Sequence, residues 1–441
     1  MYLNHLKNMI LLTRTIIFLF LLGSLSVFAS STAWTLEDCI NQAKKASLKL
    51  QSSKLNEESA SISLKKAKSS RYPDLSASVN NSLYDSPFKS GAQDHYRLSL
   101  GISSSMNLWD GGATNLNIQS STLKKQSSSF ETEQMWLSIQ ESVLNAYISL
   151  LAAQENIQVA RSALLLAEEE LKRIQYLYDV GSATQKDFVL AKSELAQKKS
   201  AALVAEQTLE NQKTTLRQLL EIPREDSFEI VAPKWDVSTP LDIPELIPLE
   251  KLLVEVRQKN PGLQADSINV LVSEKEKLIA SKTSSIKVSL GASASTGLTA
   301  WESNAYGNQM KNGYTHSISL GVSIPIIDNG VETANVLQAQ IGVTQAQLNK
   351  RETEKNLENV IETLYLNAKS ADLQWEAALL QKESEEEAYR VVEEQRIMGM
   401  ISYTDFLEQK NKLESAQLNL NSAKYNSLLM RKRIDLYRAA F

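Results

Sequence analysis

The chain repeats itself, and the register of the repeat holds over most of its length. Leu36-Glu37 opens the first copy and Leu249-Glu250 the second, an offset of 213 that also carries Ser47-Leu48-Lys49-Leu50-Gln51 onto Asn260-Pro261-Gly262-Leu263-Gln264. Past a pair of alternating segments the offset becomes 218 and stays there. Asp110 maps to Asp328, Gly112 to Gly330, Tyr147 to Tyr365, Gly181 to Gly399, and Asp187-Phe188 to Asp405-Phe406. A register kept that far means two copies of one supersecondary unit whose loops drifted in length. Five of the nine prolines (Pro223, Pro233, Pro240, Pro244, Pro248) crowd the stretch between the copies. The expected organisation is therefore a first repeat over 30–221, a Pro-rich linker over 222–247 and a second repeat over 248–441.

Residues 1–29 read as a signal peptide. Lys7 and Arg14 precede the apolar run Ile16 to Leu22, and Val27-Phe28-Ala29 places cleavage after Ala29. The alternative, a membrane anchor, needs about 20 apolar residues, far more than this run supplies. No later stretch is apolar enough for a transmembrane helix. Any membrane insertion must come from strands.

Four segments alternate as such strands would. From Tyr96, one face reads Tyr96, Leu98, Leu100, Ile102, Ser104, Met106, Leu108 and the other Arg97, Ser99, Gly101, Ser103, Ser105, Asn107. From Tyr314 to Ile326 the faces are Tyr314, His316, Ile318, Leu320, Val322, Ile324, Ile326 against Thr315, Ser317, Ser319, Gly321, Ser323, Pro325. Leu75 to Tyr84 and Ile286 to Thr296 alternate similarly. The pattern predicts tilted outer-membrane strands with Leu100, Ile102, Leu320 and Val322 toward lipid and Ser99, Ser103, Ser317 and Ser319 toward a polar lumen. A soluble antiparallel sheet over a core is the alternative, although such strands average only about 5–6 residues. Four strands cannot close a barrel, and an open edge in lipid leaves backbone groups unbonded. Closure then demands several protomers, and a dimer, trimer or tetramer all satisfy the strand count.

Between Gly112 and about Tyr178, and again between Gly330 and about Ile397, no proline interrupts the helical pattern. Ala146, Ala153, Ala160 and Ala167 recur every seven residues, and Leu357, Leu364, Ala371 and Ala378 continue the equivalent stripe in the second copy. Small residues in heptad register let helices approach closely and supercoil. Phe188, Leu195, Ala202, Leu209 and Leu216 fall on Phe406, Leu413, Leu420, Ser427 and Ile434, so each copy ends in a helical hairpin turned at Gly181 or Gly399.

Other chemistry is scarce. The formal charge of -4 and the lack of a basic cluster interleaved with aromatics point away from nucleic acid. Cys39, the one cysteine, has no disulfide or zinc partner. His5, His95 and His316 make no metal or acid/base cluster, and no phosphate loop or nucleophile elbow is present. No catalytic, cofactor or metal site is expected.

Taken in order, Trp34-Thr35-Leu36-Glu37, Arg71-Tyr72-Pro73-Asp74-Leu75, Leu108-Trp109-Asp110-Gly111-Gly112, Asn260-Pro261-Gly262-Leu263, Ile327-Asp328-Asn329-Gly330 and the tips Val180-Gly181 to Asp187 and Met398-Gly399 to Asp405 resemble the TolC-type outer membrane efflux proteins over essentially the whole mature chain. The resemblance implies a mixed α and β membrane protein. Four strands per protomer would enter a trimeric outer-membrane barrel continued by a periplasmic α-helical barrel. It further implies a homotrimer serving as the exit duct of a tripartite efflux or type I secretion system, with a periplasmic adaptor and an inner-membrane pump as partners. The adaptor would dock near Gly181 and Gly399, though those glycines also suit helix caps. Asp405 and Glu408 match the family's entrance carboxylates. Asp405 also fits a capping box, as Asp187 does, whereas the counterpart of Glu408 is Leu190. Asp187, Arg396 and Ile401 fall in the tip and gate region, where some members lock the closed end with a tyrosine and an arginine in place of Arg396 and Ile401. The second copy also departs from the first with Ser285-Ile286 where the first has Tyr72-Pro73, and with a strand two residues shorter before Asp328. The rival reading from another class is a trimeric coiled-coil surface or scaffold protein without a pore.

Overall fold

A computed structural model describes residues 34–84, 95–225, 228–231, 240, 244–299 and 306–439. The signal-peptide reading of 1–29 lies outside them. Helices α1 (Leu36–Ala46) and α2 (Leu48–Ser69) lead into strands β1 (Ser76–Tyr84) and β2 (His95–Trp109), then helices α3 (Ala113–Asp179) and α4 (Gln185–Leu219). The second copy repeats the order with α5 (Leu249–Lys259), α6 (Pro261–Ala280), β3 (Lys287–Thr299), β4 (Thr315–Ser323), α8 (Val331–Ile397) and α9 (Tyr403–Ala439). A short helix, α7 (Tyr306–Asn312), stands between β3 and β4 and was not expected from the pattern.

The repeat extends to the caps, which fix where each helix starts. Ser47 Oγ accepts from Leu50 N at 3.5 Å and Asn260 Oδ1 from Leu263 N at 3.0 Å, so α1/α2 and α5/α6 break at equivalent positions. A side chain that satisfies a free first-turn N–H lets a new helix begin without a loop. Asp110 Oδ2 accepts from Thr114 N at 2.8 Å, and its counterpart Asp328 accepts from Glu332 N at 3.0 Å. The Glu332 N–H, aided by Ser284, holds the Asp328 carboxyl below the usual carboxylate range.

The four strands form one antiparallel sheet in the order β1-β2-β3-β4. Its register aligns the two faces of every strand. Ser76, Ser103, Ser293 and Ser317 lie in one row, joined by Ser76–Ser103 and Ser293–Ser317 hydroxyl contacts of 2.9 Å each. Met106, Leu290 and Leu320 share a row of the opposite face. β4 ends at Ser323 rather than at Ile326, because Pro325 has no N–H to donate to the ladder. β2 also carries an irregularity between Asn107 and Trp109, which tightens the local twist where the chain turns into α3. Helices α2, α3, α6 and α8 all join the sheet at one end, and the strand ends Tyr84, His95, Thr299 and Thr315 stand toward the other.

Two compact units account for the packing. The first comprises the described parts of Met1–Ala46, Ser142–Ile243 and Trp375–Tyr425, and the second those of Ser47–Glu141, Pro244–Gln374 and Asn426–Phe441. In the first unit the predicted alanine stripe is buried at Ala146, Ala153, Ala160 and Ala167. Trp34 pairs in parallel with Ile230, and the Tyr147 hydroxyl donates to the Val231 carbonyl, so part of the stretch read as a linker is pinned against α3. In the second unit Leu252, Val256, Ile361, Leu364, Ala368 and Ile434 form one buried cluster. Among the described residues no helix is long and apolar enough to cross a membrane.

Candidate functional site

Both hairpin tips belong to the first unit and close by the same device. At the end of α3, Ser182 N donates to Leu177 O at 2.7 Å and Gly181 N to Tyr178 O at 3.0 Å. At the end of α8, Met400 N donates to Gln395 O at 2.9 Å and Gly399 N to Arg396 O at 3.0 Å. This double closure of the last helical carbonyls requires a left-handed residue, supplied by Gly181 at φ 78° and Gly399 at φ 73°. The capping role of the two glycines is thus plain in the geometry, and a Cβ at either would meet open space.

The following helices start on matched caps. Thr184 Oγ1 accepts from Asp187 N at 3.1 Å while Thr184 N donates to Asp187 Oδ2 at 3.2 Å, a complete capping box. Asp405 N donates to Ser402 Oγ at 3.1 Å, and that hydroxyl donates back to Asp405 Oδ2 at 2.8 Å. Glu408, one turn on, is exposed and pairs with Lys412 at 2.8 Å. Its counterpart Leu190 instead packs on a buried cluster of Ile174, Ala191, Tyr403, Phe406 and Leu407, joined by Ile401. Equivalent helical positions therefore face different surroundings in the two copies, which is why one is leucine and the other a carboxylate.

Arg396 lies among charges that sequence spacing did not bring together. Its guanidinium approaches Glu170 at 3.2 Å and stacks over the Phe406 ring, with Cζ 3.7 Å from the centroid. Lys198 on α4 reaches Glu414 at 2.6 Å, Glu194 at 3.4 Å and Asn411 Oδ1 at 2.7 Å. With the buried Lys410, three cations and three carboxylates from four helices occupy the interior of the tip. Burial pulls the Lys410 ammonium below its ordinary value, opposed by Glu194 and Glu170, and burial also pushes the Tyr403 hydroxyl up. The one sequence signal was a pair of opposite-charge i,i+4 spacings, Glu194/Lys198 and Lys410/Glu414, which reads equally well as a solvated face.

The strand residues belong to the second unit. Ser103 and Ser317 share a row, Ser319 lies opposite Gly291, and Ser99 lies opposite Asn80 and Gly297. Ile102, Leu320 and Val322 are exposed on the opposite face. One face of the sheet is thus mainly aliphatic and the other mainly hydroxyl and glycine, and residues of both are exposed in the single chain. Among the described residues no group of His, Cys, Asp and Glu could hold a metal ion.

Solved structures share this architecture. The Campylobacter jejuni CmeC outer membrane channel superposes with a TM-score of 0.78 at 19% identity, covering 92% of this chain and 85% of that one. The Neisseria gonorrhoeae MtrE outer membrane channel, solved in its open state, gives 0.73 at 19%, covering 92% and 88%. In sequence, the alkaline protease secretion protein AprF of Pseudomonas aeruginosa is 24% identical over 313 residues, 67% of this chain. That match spans 60% of AprF. The family model described as outer membrane efflux protein matches twice, over residues 39–221 and 252–440, and the chain accordingly belongs to the outer membrane efflux protein family.

Proposed function

We propose that the chain is one protomer of a homotrimeric outer-membrane exit duct, which receives substrate from an inner-membrane pump through a periplasmic adaptor. The observation that carries this reading is the open sheet. β1 and β4 are edges without partners among the described strands, one face is a row of exposed aliphatic side chains, and the other is almost wholly Ser, Gly, Thr and Asn. In lipid such edges must be paired, and three copies of four strands would close a barrel of ordinary even count. The helices support the same assembly. Leu366, Leu373 and Leu380 recur every seven residues and are all exposed, two positions on from the buried stripe Leu364, Ala371 and Ala378. A second apolar seam on the far side of a helix is what a neighbouring helix of another copy would cover. The grooves around Val180-Gly181-Ser182 and Met398-Gly399-Met400 are the adaptor's docking place in this reading, beside the capping role already described. The Arg396–Glu170 pair, with Ile401 and Asp187 nearby in the tip, is the latch of the closed end.

Cysteine labelling tests the barrel. A Ser103→Cys channel is expected to react with a water-soluble thiol reagent, and a Leu320→Cys channel only with one that partitions into lipid. The native Cys39 does not compete, being buried with its thiol pushed up to about 12 by that burial. Equal aqueous labelling at both positions would remove the barrel from the proposal. A conducting pore in a planar bilayer separates the duct from a scaffold protein.

Asp405 and Glu408 are proposed as an acidic ring at the periplasmic mouth, partly offset by Lys412. The expected result is that Asp405→Asn with Glu408→Gln lowers cation preference in reversal-potential recordings, and that Lys412→Gln alone raises it. Asp187→Asn is the control for a loss of capping. An assembled double variant with unchanged selectivity would reject the ring.

A further inference from the structure

The four strands contain no aspartate or glutamate at all, and their only charged residues other than histidine are Arg97 and Lys287. The register puts both on the serine face. Arg97 pairs with Ser82 and Thr299, in the same face as Ser99 and Ser103, and Lys287 pairs with Ser323. Both side chains are exposed, and neither has an ion-pair partner among the described residues. They stand at opposite ends of the sheet, Arg97 toward the β1–β2 connection and Lys287 where α6 delivers the chain. Twelve strand positions separate Thr299, the partner of Arg97, from Lys287, which is roughly 40 Å of strand. Between them the face carries only hydroxyl, amide and glycine groups.

We infer that Arg97 and Lys287 are specificity-determining residues that make the strand-lined bore prefer anions, so that solutes bearing carboxylate or phosphate groups pass the sheet more readily than cations of the same size. The inference rests on the reading that the serine face lines the duct. The strands hold no carboxylate to cancel these cations, although Asp328, bonded to Ser284 three residues before Lys287, tempers the ammonium, and a low-dielectric wall concentrates the remaining field in the bore. Repeated in each protomer, the two positions form collars of guanidinium and ammonium at the two ends of an otherwise neutral passage. The guanidinium collar is also the one able to grip a carboxylate or phosphate with two hydrogen bonds, which assigns Arg97 the larger share.

The test uses the full-length assembled channel with Asp405→Asn and Glu408→Gln as background, so that the proposed mouth acids do not mask the bore. In a potassium chloride gradient this channel is expected to favour chloride. Adding Arg97→Gln and Lys287→Gln is expected to move the permeability ratio severalfold toward potassium. The shift should be large near 0.1 M salt and small near 1 M, as the screening length falls from about 10 Å to about 3 Å. Arg97→Cys, exposed to an aqueous thiol reagent, distinguishes the two ways of failing. Modification that changes conductance, with selectivity indifferent to the glutamine changes, overturns the anion preference and leaves the serine-lined duct standing. An assembled Arg97→Cys channel that the aqueous reagent does not modify overturns the lumen reading and this inference with it.

Discussion

Arg396→Gln is expected to destabilise the helical tips by about 3–5 kcal/mol, the range for removing one member of a buried ion pair. The side chains of Arg396 and Glu170 are each only 11% exposed, so the carboxylate left behind cannot recover its charge solvation from water. Loss of the guanidinium also uncovers the Phe406 ring on which it stacks. Glu170→Gln should cost a similar amount from the other side. The paired change Arg396→Met with Glu170→Leu should recover most of it, because an apolar pair of similar volume carries no desolvation penalty. With the double change Arg396→Gln, Glu170→Gln added to close the cycle, unfolding in denaturant gives the coupling energy, and strictly additive costs would show that the two side chains do not act together. If the pair is the latch proposed above, both single variants also leak, which appears as raised conductance of the purified channel. Single variants that lose stability without leaking would leave the pair a packing element only.

Asp372→Ala is expected to cost about 3 kcal/mol or more in the second compact unit. Asp372 accepts from Arg431 Nε at 3.0 Å, from Arg431 Nη2 at 2.6 Å and from Ser427 Oγ at 2.6 Å. Arg431 Nη1 continues to the Pro244 carbonyl at 2.7 Å, so one guanidinium ties α8, α9 and the chain segment before α5. The two charged side chains are only 18–19% exposed, and Ser427 is fully buried. Arg431→Lys keeps the charge but not the planar fork, and should lose a large part of the effect. Urea unfolding gives the energies, and protease cleavage near Pro244 should accelerate in both variants. A variant Asp372→Ala as stable as the parent, with Pro244 equally protected, would mean that the network is redundant.

Both of these pairs were illegible in the sequence. Glu170 and Arg396 lie on α3 and α8, and Asp372 and Arg431 on α8 and α9. A charge on a heptad helix reads as solvated unless the neighbouring helix is known, and no rule of spacing joins residues so far apart in the chain. Ser427 shows the same limit, since it occupies a stripe position that its counterpart Leu209 fills with an aliphatic side chain. Its hydroxyl is there to bond Asp372. The end of β4 departs from the sequence alternation for a local reason. Alternation continues through Ile324 and Ile326, but the ladder cannot pass Pro325, and α7 arises in a connection whose composition carries no helical signal.

What the residues alone determined is what has a period or a local partner. The duplication, the two long helices, the hairpin glycines, the capping aspartates and the two-faced strands follow from offsets, heptads and alternation, all of which are set by the geometry of a single helix or strand. Tertiary structure decided what depends on which surfaces meet. It settled the order and register of the sheet, the six largely buried charges at the tip, the pinning of Val231 by Tyr147, and the pairing of Glu408 with Lys412 that tempers its charge. The physical reason is that an apolar stripe needs only some apolar partner, so many arrangements satisfy it. A buried charge or hydroxyl needs one particular partner at hydrogen-bonding distance, and only the folded chain specifies which.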